Sequence, residues 1–137
     1  MPARRLLLCL AAATALMPAS IRAQGVRDSR AATLTVRLSS FAIEPELIRL
    51  RAGVPVDLQL VNESAGGHNF SAPGFFAASR FPNGAAPAAG VVEVPAGSRV
   101  EIVAVPVTPG TYRVECTHFL HALFGMTGRI IVEPAPG

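Results

Sequence analysis

The chain has 137 residues, half of them hydrophobic, with 15% charged residues and a formal net charge of +3. Three of its twelve basic residues, Arg4, Arg5 and Arg22, lie in the first 23 positions, and beyond them nine Arg face nine acidic residues with no Lys. That balance gives no footprint for nucleic acid, and no stretch is long and apolar enough to span a bilayer.

The N-terminus reads as a secretory signal. Arg4 and Arg5 precede an apolar run from Leu6 to Met17, and Pro18 to Ala23 supplies a breaker and small residues. Cleavage is expected after Ala23, leaving a periplasmic or secreted chain. The Arg pair raises a twin-arginine signal, but the very short charged region favours ordinary secretion. Residues 24–31 are polar and without periodicity, a flexible tail.

The folded domain is expected over residues 32–137. Leu34, Val36 and Leu38 alternate with Thr33, Thr35, Arg37 and Ser39, the pattern of a half-buried strand. Leu47 to Arg51 predicts a second strand, stopped by Ala52-Gly53, and Val54 to Asn62 a third. The chain then turns through Ser64 to Gly67 into His68-Asn69-Phe70. Residues 72–90 hold Pro73, Gly74, Pro82, Gly84, Pro87 and Gly90, too many breakers for a long helix. An irregular connection is expected there, with one helical turn near Phe75 to Arg80. Val91 to Val94, Arg99 to Val105, Tyr112 to Cys116 and Arg129 to Val132 complete the strands. Some seven short strands without an amphipathic helix predict an all-β sandwich.

Between the last two strands lies the densest chemistry in the chain. Cys116, His121 and Met126 follow one another at C-x4-H-x4-M spacing. A thiolate, an imidazole and a thioether on one loop make a soft ligand set that selects copper over magnesium or calcium. A trigonal His₂Cys site with a weak axial Met needs a second His, and His68 is the one His outside this loop. After residue 23 only Cys116 remains, so no internal disulfide is available, and metal ligation gives an otherwise odd exported thiol a role. Singly, each residue has a plainer reading: Cys116 as a core thiol, Met126 as core filler, His68 as a turn residue. Their conjunction is what points to copper.

His68-Asn69 together with the Cys116–Met126 loop resembles the cupredoxins, the blue-copper proteins, and the spacing is similar to that of auracyanin and rusticyanin. Phe41-x-Ile43-x-Pro45-x-Leu47-Ile48-x-Leu50 is similar to a further cupredoxin run, and the likeness covers roughly residues 33–133. The resemblance implies a Greek-key β-sandwich. It implies one Cu(I)/Cu(II) ion held by His68, Cys116, His121 and Met126, and one-electron transfer to redox partners. Asn69 and Thr117 match positions that tie the two ligand segments together, and Gly67 matches one whose carbonyl faces the metal. The resemblance also implies that His121 reaches the surface inside an apolar patch of Leu120, Ala122, Leu123 and Phe124, extended by Phe75 and Phe76. A monomer is expected.

His118 departs from that pattern, since family loops of this length carry a Phe-Pro-Gly-type run between Cys and His. Three roles stay open for it: a surface residue, a hydrogen-bond partner, or a second copper ligand. The surface role is preferred. Multicopper oxidases share the C-x4-H-x4-M loop but need a His beside the Cys and His-x-His pairs. Glu115 and Thr117 flank Cys116 here, so no enzyme is expected. Copper storage, delivery or tolerance is the alternative to electron transfer. It is disfavoured because no Met-rich or His-rich tract is present.

Overall fold

The structure is a computed structural model describing residues 31–135 and 137. The expected signal (1–23), and all but the last residue of the expected tail (24–31), lie outside the described residues.

Among the described residues ten strands run in the order β1 (Ala32–Ser39), β2 (Ala42–Glu44), β3 (Leu47–Arg51), β4 (Val56–Asn62), β5 (His68–Ser71), β6 (Ser79–Arg80), β7 (Val91–Val94), β8 (Arg99–Pro106), β9 (Gly110–Glu115) and β10 (Thr127–Glu133). They form two five-stranded sheets, β2-β1-β4-β8-β6 and β3-β10-β9-β5-β7. β1 pairs in parallel with β4, and β3 with β10, while the other neighbours are antiparallel. This is the all-β sandwich that the strand alternation predicts. β1 begins at Ala32, and β3 and β7 coincide with their expected spans. Two short strands, β2 and β6, carry too few residues to show a period.

Alternation in each strand decides which side chains enter the space between the sheets. Val36, Leu38, Leu58 and Leu60 point in from one sheet, and Ile48, Phe70, Val94, Val114 and Ile130 from the other, all buried. Each such side chain contributes about 1.5–3 kcal/mol, an upper bound because unfolded chains already bury some surface.

The long connection holds one α-helical turn, α1 (Pro73–Ala77), opened by Pro at its start, and a short 3₁₀ turn at Ala88–Gly90. The α1 turn directs Phe75 and Phe76 inward, against Tyr112 and Phe70, and both are buried. Neither ring therefore extends a surface patch, contrary to the sequence expectation. The connection closes at Gly90, whose φ is +68° and where an added Cβ would collide with the backbone of Pro73. Only glycine allows that approach.

Asn62, at the end of β4, governs the turn that delivers His68. Its Nδ2 donates to the carbonyls of Gly66 (2.8 Å) and Val94 (2.9 Å), and its Oδ1 accepts from the Ser64 amide (3.0 Å) and hydroxyl (2.6 Å). A buried amide with its polar atoms satisfied specifies one turn conformation. Among the described residues, no helix is long and apolar enough to cross a membrane.

Candidate metal centre

Three segments meet at one end of the sandwich: the start of β5 with His68, the residue after β9 with Cys116, and the turns of residues 117–126 with His121. β5 and β9 share a single registered pair, Ser71 with Glu115. Because the ladder stops there, the Asn69 amide is free of it and donates instead to Cys116 Sγ at 3.4 Å.

The 117–126 loop is held by its own backbone. His121 N–H donates to His118 O (3.1 Å), Met126 N–H to His121 O (3.0 Å), and Cys116 N–H to Met126 O (3.1 Å). Leu120 takes φ +63° to make this path, a left-handed conformation that costs a non-glycine residue roughly 1–2 kcal/mol. Thr127 then pairs with Glu115 and β10 begins.

Within this frame His68 Nδ1 lies 3.2 Å from His121 Nδ1, and Cys116 Sγ lies 3.4 Å from the same nitrogen. All three donor atoms fall within 4.8 Å of one another. Cys116 and His68 are buried, and His121 is half-buried. Atoms each bonded to one small ion at about 2.0–2.3 Å stand about 3–3.5 Å apart, so the spacings fit a shared cation. Burial, and then the neighbouring His121 and His118 rings, lower the pKa of His68. Its ring is thereby kept neutral, the form a metal requires. His68 Nε2 is buried without a protein partner, so a proton placed there leaves the Nδ1 lone pair facing the cluster. Met126 is fully buried, with its amide and carbonyl bonded to the His121 and Cys116 backbones.

Asn69 and Thr117 join the two segments by a reciprocal pair: Asn69 Nδ2 donates to Thr117 Oγ1 and Thr117 N–H to Asn69 Oδ1, both at 2.8 Å. His118 is engaged rather than a bare surface residue. Its Nδ1 donates to Gly67 O at 2.9 Å and its Nε2 meets Glu93 Oε2 at 3.0 Å. The Gly67 carbonyl thus accepts from His118.

Two neighbours escaped the sequence reading. Phe41, at the β1–β2 turn, sets its ring 5.5 Å from that of His121. Glu93, on β7, contacts both His118 and Asn69. Glu93 carries no local signal, because it reaches the site only through the pairing of β7 with β5.

No protein-family model matches the sequence, and no curated protein matches it. Solved structures do. Auracyanin B superposes with a TM-score of 0.57 at 24% identity, covering 74% of this chain and 88% of its own. Dithionite-reduced auracyanin from the photosynthetic bacterium Roseiflexus castenholzii gives 0.58 at 19% identity, covering 77% of this chain and all of its own. The fold is that of the cupredoxins.

Several large apolar side chains close to His121 in the sequence or in space are exposed. Phe119 is 87% exposed, Leu123 76% and Phe124 59%, with Leu120 and Phe41 beside them also exposed.

Proposed function

We propose that the chain is an exported blue-copper protein that carries single electrons. His68, Cys116 and His121 would hold one copper ion, and Met126 would supply a weak thioether donor. The observation that carries this reading is the convergence of two imidazole Nδ1 atoms and one buried thiol sulfur, from two segments distant in the chain, at 3.2 and 3.4 Å. Copper in such a set supplies a Cu(I)/Cu(II) couple.

The chain's own part is to hold the donors still. The backbone bonds among Cys116, His121 and Met126 fix the loop, and the Asn69–Thr117 pair fixes it to β5. The Asn69 N–H donates to Cys116 Sγ and so fixes where the sulfur sits. Burial of Cys116 and His68 keeps water from the donors, and the low dielectric around sulfur tunes the potential.

Export is part of the proposal and rests on residues 1–23. Redox partners would dock as transient complexes over the apolar end, around His121. Small interfaces suit such encounters, and a monomer leaves that end open. The test is addition of Cu(II) to the purified mature protein, followed by the visible spectrum and a redox titration. An intense thiolate-to-copper band with a reversible one-electron couple supports the reading. Copper that binds without a reversible couple and passes readily to a chelator would favour delivery instead.

A further inference from the structure

We propose that Glu93 is a positioning residue which, through His118 and Asn69, holds the His68 and Cys116 segments in register and lowers the reduction potential of the metal they enclose. The inference rests on the copper reading only for its second half.

Glu93 faces outward on β7, in register with Asn69 of β5. Its Oε1 accepts from Asn69 Nδ2 at 2.9 Å and its Oε2 faces His118 Nε2 at 3.0 Å. On the far side of His118, Nδ1 donates to the carbonyl of Gly67, the residue before His68. On the far side of Asn69 stand Thr117 and the Cys116 sulfur. One carboxylate therefore closes a circuit running Gly67, His118, Glu93, Asn69, Thr117, Cys116.

The chemistry of each member limits the alternatives. Asn69 Nδ2 has two protons, one for Glu93 and one for Thr117, so its orientation is determined. The Gly67 carbonyl only accepts, so His118 Nδ1 must carry a proton. His118 Nε2 lies against the Glu93 carboxylate on the other side of the ring. The hydrogen bond from Asn69, and secondarily the contact with His118, hold the Glu93 carboxyl below its ordinary range despite the opposing effect of burial.

Against this stands the plain reading of a surface ion pair. The Glu93 side chain is 63% exposed, and an exposed pair contributes little to stability. Asn69, however, is buried, and it is the residue Glu93 orients. The effect therefore belongs to the ligand segments and not to global stability. A negative charge one hydrogen bond from the sulfur's own partner also favours the more positive oxidised metal, though solvent weakens it.

Two substitutions separate position from charge. In Glu93→Gln the amide oxygen still accepts from Asn69 and the new N–H₂ takes the place of the oxygen facing His118, so the Asn69 arm of the circuit survives without the carboxylate charge. Glu93→Ala breaks it. Amide hydrogen exchange at Thr117 in the metal-free protein reads position, and the midpoint potential of the copper-loaded protein reads charge. Glu93→Ala is expected to speed Thr117 exchange about tenfold, the scale of a lost bond to a charged group. Glu93→Gln is expected to leave it near wild type, and both variants raise the potential with the visible band retained. Glu133→Gln, altering the exposed pairs with Arg49 and Arg51 on the same sheet, should move neither readout. Unchanged Thr117 exchange in Glu93→Ala, or an unchanged potential in both variants, overturns the proposal. A wild-type protein that binds no copper would overturn the copper reading, while the exchange measurement would still decide the positioning role.

Discussion

Phe41 and His121 meet edge to face across the mouth of the sandwich, their ring centroids 5.5 Å apart at 78°. The Phe41 ring also stands 5.3 Å from that of Phe124. One ring from the β1–β2 turn thus braces both a candidate ligand and the exposed apolar surface around it. Phe41 does so at φ +65°, a conformation that an aromatic residue adopts only when its surroundings impose it.

The strain and the contact can be separated by mutation. Phe41→Ala removes an aromatic contact worth about 0.5–1.5 kcal/mol and keeps a Cβ in the left-handed region. Phe41→Gly removes the same contact but relieves roughly 1 kcal/mol of backbone strain. The glycine variant should therefore be the more stable of the two in denaturant titrations of the metal-free protein. Equal stabilities would show that the turn relaxes out of its positive φ.

The framework strands were legible in sequence because two-residue periodicity survives wherever one face is buried, as at Val36 and Leu38 or Leu58 and Leu60. The grouping of His68, Cys116 and His121 was legible because donor side chains of these types at such spacing are rarely coincidental. What was not legible depends on contacts distant in sequence. Phe41 reads as one apolar residue before a short strand, and nothing local says that its turn folds onto residue 121. Phe75 and Phe76 sit in a segment rich in breakers, so only the single turn begun by Pro73 decides that they face inward. His118 looked like a spare surface residue because its partners, Gly67 and Glu93, lie 51 and 25 residues away in the chain.

Acid should weaken the metal-free protein in two stages. Folded His68 binds a proton less readily than in the unfolded chain, because burial and then the neighbouring rings oppose its charge. As pH falls below about the ordinary value of 6.5, the unfolded state takes up more protons and folding is disfavoured. Glu93 shifts the other side of the balance. Its lowered pKa contributes stability above its ordinary value of 4.5, which is lost as pH falls through the folded value. Thermal melts of the metal-free protein from neutral to acid pH should fall throughout, and His68→Gln should flatten the upper part of the curve. A wild-type melting temperature that is constant through that upper range would contradict the environment assigned to His68.

Met126→Leu tests the axial role with little disturbance to packing. The exchange nearly conserves volume, so it should cost less than about 1.5 kcal/mol. With Met126 as a weak donor to Cu(II), its loss keeps the visible band and raises the midpoint potential. A midpoint potential unchanged from wild type would remove Met126 from the ligand set.

The apolar end can be probed without touching any proposed ligand. Leu123 and Phe119 are strongly exposed, so Leu123→Lys and Phe119→Asp should cost little stability. If partners approach over that surface, both substitutions slow electron self-exchange while leaving the spectrum and copper affinity in place. Rates equal to wild type in both variants would move the docking site elsewhere.

The most direct test is the visible spectrum of the Cu(II)-loaded protein beside that of Cys116→Ala. Cys116 is the one cysteine among the described residues, and its sulfur sits with the His68 and His121 nitrogens. The wild-type protein is expected to bind one equivalent of copper with an intense thiolate-to-copper band, and Cys116→Ala to lose that band entirely. A band that survives in Cys116→Ala, or a folded wild-type protein that stays colourless with Cu(II), would contradict the blue-copper assignment.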